Sequence, residues 1–147
     1  MPKLKVKIIN QSGNGLPEYA TEGSSGMDVR ANLAQPIALK PMERRLIPAG
    51  FFIELPLGYE AQVRPRSGLA LRQGITCLNA PGTVDSDYRG EIMVVLINLS
   101  QEEQIINHGD RIAQMVIVKV QKIKWKQVEK INETKRNHGG FGHTGKS

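Results

Sequence analysis

A chain of 147 residues suits one domain and excludes two of ordinary size. Aromatic residues are only 5%, so a core must come from Val, Ile and Leu, and the net charge of +6 suits a polyanionic partner: a nucleoside triphosphate, nucleic acid or anionic lipid. The single cysteine excludes a disulfide within the chain and fits a reducing, cytoplasmic compartment; no apolar run approaches ~18 residues, and the lysine-rich N-terminus has no apolar signal core, so neither a membrane span nor secretion is expected.

Lys3 to Ile9 alternates Lys3, Lys5 and Lys7 with Leu4, Val6 and Ile8, the period of a half-buried strand with a solvated face. Gln11 to Pro17 is a loop. Glu22 to Ala31 is a Gly/Ser turn running into a short strand, where Asp28 either serves a metal or caps the turn. Pro36, Pro41, Pro48, Gly50 and Pro56 interrupt the next stretch too often for a helix. Short strands joined by tight turns tolerate that spacing, as in sandwiches and jelly rolls. Tyr59 to Val63 is another strand. After Arg64-Pro65-Arg66, Ser67 is placed to N-cap a short helix ended by Gly74, and an exposed helix N-terminus beside Arg66 is an anion site.

The stretch from Asn79 to Ile92 lies between two apolar runs, Ile75–Leu78 and Ile92–Leu99. Pro81-Gly82, Asp85-Ser86-Asp87 and Gly90 supply turn chemistry, so it reads as a β-hairpin between two buried strands. Its short tip carries two carboxylates and a tyrosine, and chemistry tends to sit on loops held by a rigid scaffold. Cys77, inside the first run, reads as a small buried hydrophobe. His108-Gly109-Asp110 turns the chain into a strand at Arg111–Val120. Gln121 to Val128 again alternates, which predicts a strand with Lys122, Lys124 and Lys126 on its wet face and Trp125 packed. From Glu129 the apolar pattern fades. The expected organisation is a β domain over 1–128 and a mobile, glycine-rich arm over 129–147. In that arm the glycines let backbone N–H groups approach phosphates, and Phe141 suits stacking on a base. An arm that orders over its ligand excludes water from a reaction.

His108, His138 and His143 show no ligand spacing with one another or with Cys77, and no nucleophile elbow, Walker loop or dinucleotide fingerprint is present. What remains is Asp28, Asp85, the Arg66-Ser67-Gly68 turn, a stacking candidate and a basic balance. Together these suit water attack on a phosphate chain. A carboxylate orients and deprotonates the water, arginine and backbone donors hold oxygens, and Mg²⁺ offsets charge.

Five segments, in order and spacing, resemble the trimeric dUTPase (deoxyuridine triphosphate nucleotidohydrolase) family: Ser25–Ala31, Pro65–Ala70, Asn79–Glu91, Gly109–Met115 and Arg136–Gly145. The resemblance covers essentially the whole chain. It implies an all-β fold, a jelly-roll-like β-sandwich with one short helix, assembled as a homotrimer whose three sites are each built from all three chains. The implied reaction is hydrolysis of dUTP to dUMP and pyrophosphate by attack at the α-phosphorus, which limits uracil in DNA and supplies dUMP for thymidylate synthesis. By motif match, Asp85 resembles the base that activates the water, and Tyr88 the residue under the deoxyribose. Asn79 and the hairpin backbone at Gly82, Thr83 and Val84 resemble the uracil reader. Arg66, Ser67 and Gly68 resemble the phosphate contacts, and Gln114 the contact from the fourth segment. Asp28 resembles the carboxylate that holds Mg²⁺ through water. Arg136, Phe141, Gly142, His143 and Thr144 match the closing arm, Phe141 over the base and the others on the γ-phosphate. The chain departs from the family at Asn137, where glycine is common, and at His143, where serine is common. Two other readings stand beside the hydrolase: a dCTP deaminase-like enzyme on the same fold, and a non-catalytic nucleotide-sensing or nucleic-acid-binding trimer. Under the leading one, neither stable nucleic-acid binding nor a membrane is expected.

Overall fold

The structure, a computed structural model, describes residues 2–146. It holds eleven strands and one helix: β1 (Lys7–Asn10), β2 (Met27–Arg30), β3 (Ile37–Leu39), β4 (Arg44–Pro48), β5 (Phe51–Glu54), β6 (Tyr59–Arg64), α1 (Ser67–Gln73), β7 (Ile75–Cys77), β8 (Gly82–Val84), β9 (Met93–Asn98), β10 (Gln104–Ile106) and β11 (Arg111–Lys119). A four-stranded sheet in the order β2-β11-β6-β8 and a three-stranded sheet β4-β9-β7 are joined by the pairs β1-β5 and β10-β3, and every pairing is antiparallel. This is the jelly-roll-like β-sandwich with one short helix. Among the described residues, no helix is long and apolar enough to cross a membrane.

The core is aliphatic, as the composition requires. Val29, Leu39, Ile47, Ile75, Leu96, Ile106 and Ile112 are fully buried, and Phe51 is the aromatic residue among the buried hydrophobics. Each such aliphatic side chain stabilises the fold by about 1.5–3 kcal/mol before the entropy of ordering is set against it. One polar side chain, Asn98, lies fully inside. Its amide nitrogen donates to Leu39 O and Glu102 O, both at 2.8 Å, and its oxygen accepts from Ser100 N–H at 2.9 Å and Ser100 Oγ–H at 2.7 Å. Satisfied in full, it joins the end of β9 to β3 without a desolvation penalty.

Three local expectations are corrected. The N-terminal strand begins at Lys7, not Lys3, and pairs Lys7↔Glu54 through Asn10↔Phe51. Extending the ladder upstream would set Lys5 opposite Pro56, which has no N–H to give. Ser67 is the first helical residue and not the N-cap; Arg66 takes that place with extended backbone (φ −98°, ψ 132°) and no side-chain cap bond. Gly74 does end the helix, in the left-handed conformation, its N–H donating to Ala70 O at 3.0 Å. Finally, residues 121–128 form no strand: Trp125 is 86% exposed, and Ile123 and Val128 are exposed with it. The alternation there is real, but a strand needs an edge to pair with, and within this chain none lies beside it.

Candidate functional site

The predicted hairpin is built differently from a simple tip. β7 and β9 do pair, Ile75↔Asn98 through Cys77↔Leu96. Between them the chain leaves that sheet, and β8 pairs with β6 in the other one, Val63↔Gly82 and Ala61↔Val84. The stretch from Asn79 to Ile92 therefore bridges the two sheets. β8 is an edge strand, so one side of the Gly82–Val84 backbone has no strand partner. Gly82 itself is buried, and a Cβ there would sit 3.3 Å from Asn79 Nδ2, so Asn79 and the β8 backbone form one surface.

Beyond β8 the tip is closed by a turn, Tyr88 N–H donating to Asp85 O at 3.1 Å. Arg89 clasps it, Nη1 donating to Ser86 O at 2.6 Å and Tyr88 O at 3.2 Å, while its Nε lies 3.7 Å from the Glu54 carboxylate. Tyr88 Oη donates to Glu91 O at 2.8 Å, and the Glu91 carboxylate accepts from Gly50 N–H at 3.1 Å. Asp85 stands exposed on this braced turn.

A second focus gathers at the far end of the four-stranded sheet. Gln114 on β11 lies opposite both Asp28 on β2 and Arg64 on β6. The β11 register shifts between Arg111 and Ala113, and such bulges re-aim side chains. Arg111 Nη1 comes within 3.7 Å of one Asp28 oxygen, while Arg66 Nε donates to the other at 3.2 Å. Arg66 Nη1 also reaches Arg111 O at 3.5 Å. The Gln114 amide donates to Pro65 O at 3.2 Å, and a Cβ on Gly26 would come within 2.8 Å of its Oε1. Asp28, Arg66 and Gln114 thus converge, with the exposed Ser67 and with Gly68 at the start of α1. Arg111 was missed as a site residue although it lies inside the quoted Gly109–Met115 segment; its signal was a cation beside a lone carboxylate across a bulge that only the register reveals.

The two foci do not meet within one chain. Extending the β6–β8 register by one residue sets Asp85 beside Glu60, and Glu60 is four residues along β6 from Arg64 in the Asp28 row. With three strand spacings between β2 and β8, about 13 Å along the strands and about 14 Å across them separate the two carboxylates' backbones, roughly 19 Å on the diagonal.

The arm residues form a third group. Among the described residues, the hydrogen bonds made from 121–146 stay inside that segment. Arg136 Nε donates to Gly139 O at 2.6 Å, and Phe141 is fully exposed at φ 51°. Gly142, His143 and Thr144 follow in successive turns. Asn137, where the family often has glycine, adopts φ 47°. Asparagine tolerates that conformation, and its side-chain oxygen accepts from Thr134 N–H at 2.8 Å while its own N–H donates to Thr134 Oγ1 at 3.0 Å. The substitution keeps the turn that glycine would allow.

Cys77 is buried, and burial pushes its thiol up to about 11 from an ordinary 9.0, which makes it a poor nucleophile at neutral pH. Among the described residues, no three His, Cys, Asp or Glu side chains lie together as metal ligands.

Residues 4–145 match the family model for dUTPase. The chain is 58% identical over 142 residues to the deoxyuridine 5'-triphosphate nucleotidohydrolase of Finegoldia magna, covering 97% of this chain and 99% of the relative. It is 55% identical over 146 residues to the protein of the same name from Fusobacterium nucleatum, covering 99% and 100%. In fold it is similar to a Staphylococcus bacteriophage 80alpha dUTPase mutant solved with dUpNHpp (TM-score 0.83, 22% identity, 97% of this chain and 99% of that one). It is similar also to a dUTPase mutant from phage phi11 of S. aureus, described as revealing the coordination of a structural Mg(II) ion (TM-score 0.78, 22% identity, 88% and 100% covered). Nothing in these likenesses favours a deaminase or a non-catalytic binding trimer. The chain belongs to the dUTPase family.

Proposed function

We propose that this chain is a dUTP diphosphatase, which hydrolyses dUTP to dUMP and pyrophosphate by water attack at the α-phosphorus. The observation that carries the reading is the family match over residues 4–145, which takes in the hairpin, the Asp28 focus and the arm together. In this reading Asp85 holds the attacking water and takes its proton, a role that needs an exposed carboxylate on a turn that does not move. Asn79 and the open edge of β8 read uracil. Backbone donors and acceptors there reject cytosine by leaving polar groups unpaired and thymine by a clash, and mismatched buried polar groups discriminate by up to about 10⁴–10⁵. Arg66, Ser67, Gly68 and Gln114 hold phosphate oxygens. Tyr88 lies under the deoxyribose. Arg136, Phe141, Gly142, His143 and Thr144 close over the nucleotide, and we keep the division into a body (1–128) and an arm (129–147) as part of the proposal.

Asp28 is the one carboxylate of its cluster, already paired with two guanidinium groups. That donor set does not make a protein cage for a cation. Asp28 would hold Mg²⁺ only through water. Bound there, Mg²⁺ would offset charge on the phosphate chain. The two arginines fix the carboxylate's orientation for that task and lie beside the path of the phosphates.

A triphosphate is shorter than the roughly 19 Å between the two foci estimated from strand spacing. One substrate can use both only if a second copy supplies one of them, and the unattached arm suits a third. The proposed assembly is a homotrimer, to be seen by sedimentation as a species near three times 16.3 kDa. The decisive assay mixes protein, Mg²⁺ and each deoxynucleoside triphosphate in turn and measures pyrophosphate. Release from dUTP alone is expected. Equal release from all of them, or ammonia from dCTP, would refute the assignment.

A further inference from the structure

Gly90 follows Tyr88 by two residues, and its backbone does not call for glycine: it lacks the positive φ of Gly50 or Gly109. What excludes a side chain is the tyrosine. A Cβ on Gly90 would lie 2.6 Å from Tyr88 Cζ and 2.9 Å from Cε1, far inside carbon–carbon contact at about 3.5–4.0 Å. The ring is folded against bare backbone. The hydroxyl lies nearest of all to that Cβ position and is also latched, donating to Glu91 O at 2.8 Å. That carbonyl belongs to the rigid body. The Glu91 side chain accepts from Gly50 N–H, Ile92 N–H donates to Phe51 O at 2.9 Å, and Ala49 N–H donates to Ile92 O at 3.0 Å. The ring remains 44% exposed, so a face is left for a ligand.

A tyrosine on an exposed turn ordinarily samples several rotamers. Here an empty position and one backbone acceptor select a single orientation. We infer that Gly90 is a specificity-determining position that acts through Tyr88: the glycine seats the ring, the Glu91 carbonyl latches it, and together they set the depth at which it excludes a 2′-hydroxyl. The inference rests on the reading of Tyr88 as the residue beneath the deoxyribose. Gly90→Ala lifts the ring from its seat without forbidding the backbone. Tyr88→Phe keeps the seat and removes the latch.

The test is a cycle of four proteins (unmodified, Gly90→Ala, Tyr88→Ala and the double variant), each measured for kcat/KM with dUTP and with UTP. In parallel, ¹³C-tyrosine NMR follows the ring; the chain has three tyrosines, and Tyr88→Phe assigns the signal. Gly90→Ala is expected to lower the dUTP:UTP ratio on the order of tenfold, the scale of one misplaced methyl in a pocket, and to shift the Tyr88 resonance. In the Tyr88→Ala background the same change should leave the ratio where Tyr88→Ala put it. An unshifted resonance overturns the seat. An equal fall of the ratio in both backgrounds overturns action through the ring. A ratio unmoved by Tyr88→Ala removes the sugar reading and the specificity claim with it, and is told apart because the Tyr88 resonance still shifts in Gly90→Ala.

Discussion

The hairpin and the arm both present glycine, an aromatic ring and an arginine, yet they are held in opposite ways. From Leu78 to Ile92 the hairpin is bonded to the body: Leu78 N–H to Val95 O, Ala49 N–H to Ile92 O, Gly50 N–H to the Glu91 carboxylate. Among the described residues, the hydrogen bonds made from 121–146, a stretch that takes in the arm, stay within it. Ordering backbone costs about 1–2 kcal/mol per residue, and among the described residues no hydrogen bond from the arm to the body offsets it. The difference divides the labour. On the proposed reading, groups that must be in place before substrate arrives, the base and the uracil reader, sit on the braced segment, and groups that must let product leave sit on the other, where ordering would wait for a charged ligand.

The comparison breaks most visibly at Asp85. Asp85→Asn is expected to cut single-turnover hydrolysis by roughly 10²–10⁴-fold while dUTP still binds, since the β8 edge and the phosphate contacts are untouched. Near-normal turnover would move the base elsewhere. The arm should respond on a smaller scale. Phe141→Ala would remove the proposed stacking on the base, about 1–3 kcal/mol, and is expected to lower kcat/KM roughly 5- to 150-fold. A non-hydrolysable dUTP analogue should protect Lys135 and Arg136 from trypsin, and dUMP, lacking the γ-phosphate, should protect them poorly. Cleavage indifferent to the analogue would make the arm a mere tail.

Stability sharpens the contrast further. Glu91→Ala takes away the charged acceptor of Gly50 N–H and should lower stability in urea by about 1.5–3 kcal/mol. Asn137→Ala, at a comparable hydrogen-bonded turn in the arm, should not move the body's midpoint. The smallest effect lies at the hairpin's root. The Cys77 thiol is raised from 9.0 to about 11 in the folded protein, so the folded state holds its proton where the unfolded state has lost it. The resulting stability is intact below pH 9 and is lost as pH rises toward 11, on the order of 1 kcal/mol by pH 10. Urea unfolding at pH 8 and pH 10 measures it, with Cys77→Ala as the control in which this component is absent.

What the sequence determined was whatever depends on local chemistry. Proline spacing from Pro36 to Pro56 forbade helices. Apolar runs placed β7 and β9, Gly74 stopped α1, and the five segments carried the family, because strand-forming runs and turn residues act over a few positions. Tertiary structure decided what depends on partners distant in the chain. Residues 121–128 have a strand's alternation and no strand, since hydrogen bonds need an edge that this chain does not offer there. The Asn79–Ile92 stretch reads as one hairpin but crosses between sheets, because β8 finds its partner in β6. Asp28 reads as a lone carboxylate, yet it lies between Arg66 and Arg111, brought there by a bulge and by a register with no signature in composition. The roughly 19 Å between the Asp28 and Asp85 backbones, on which the proposed assembly rests, exists only once strands have been put in order.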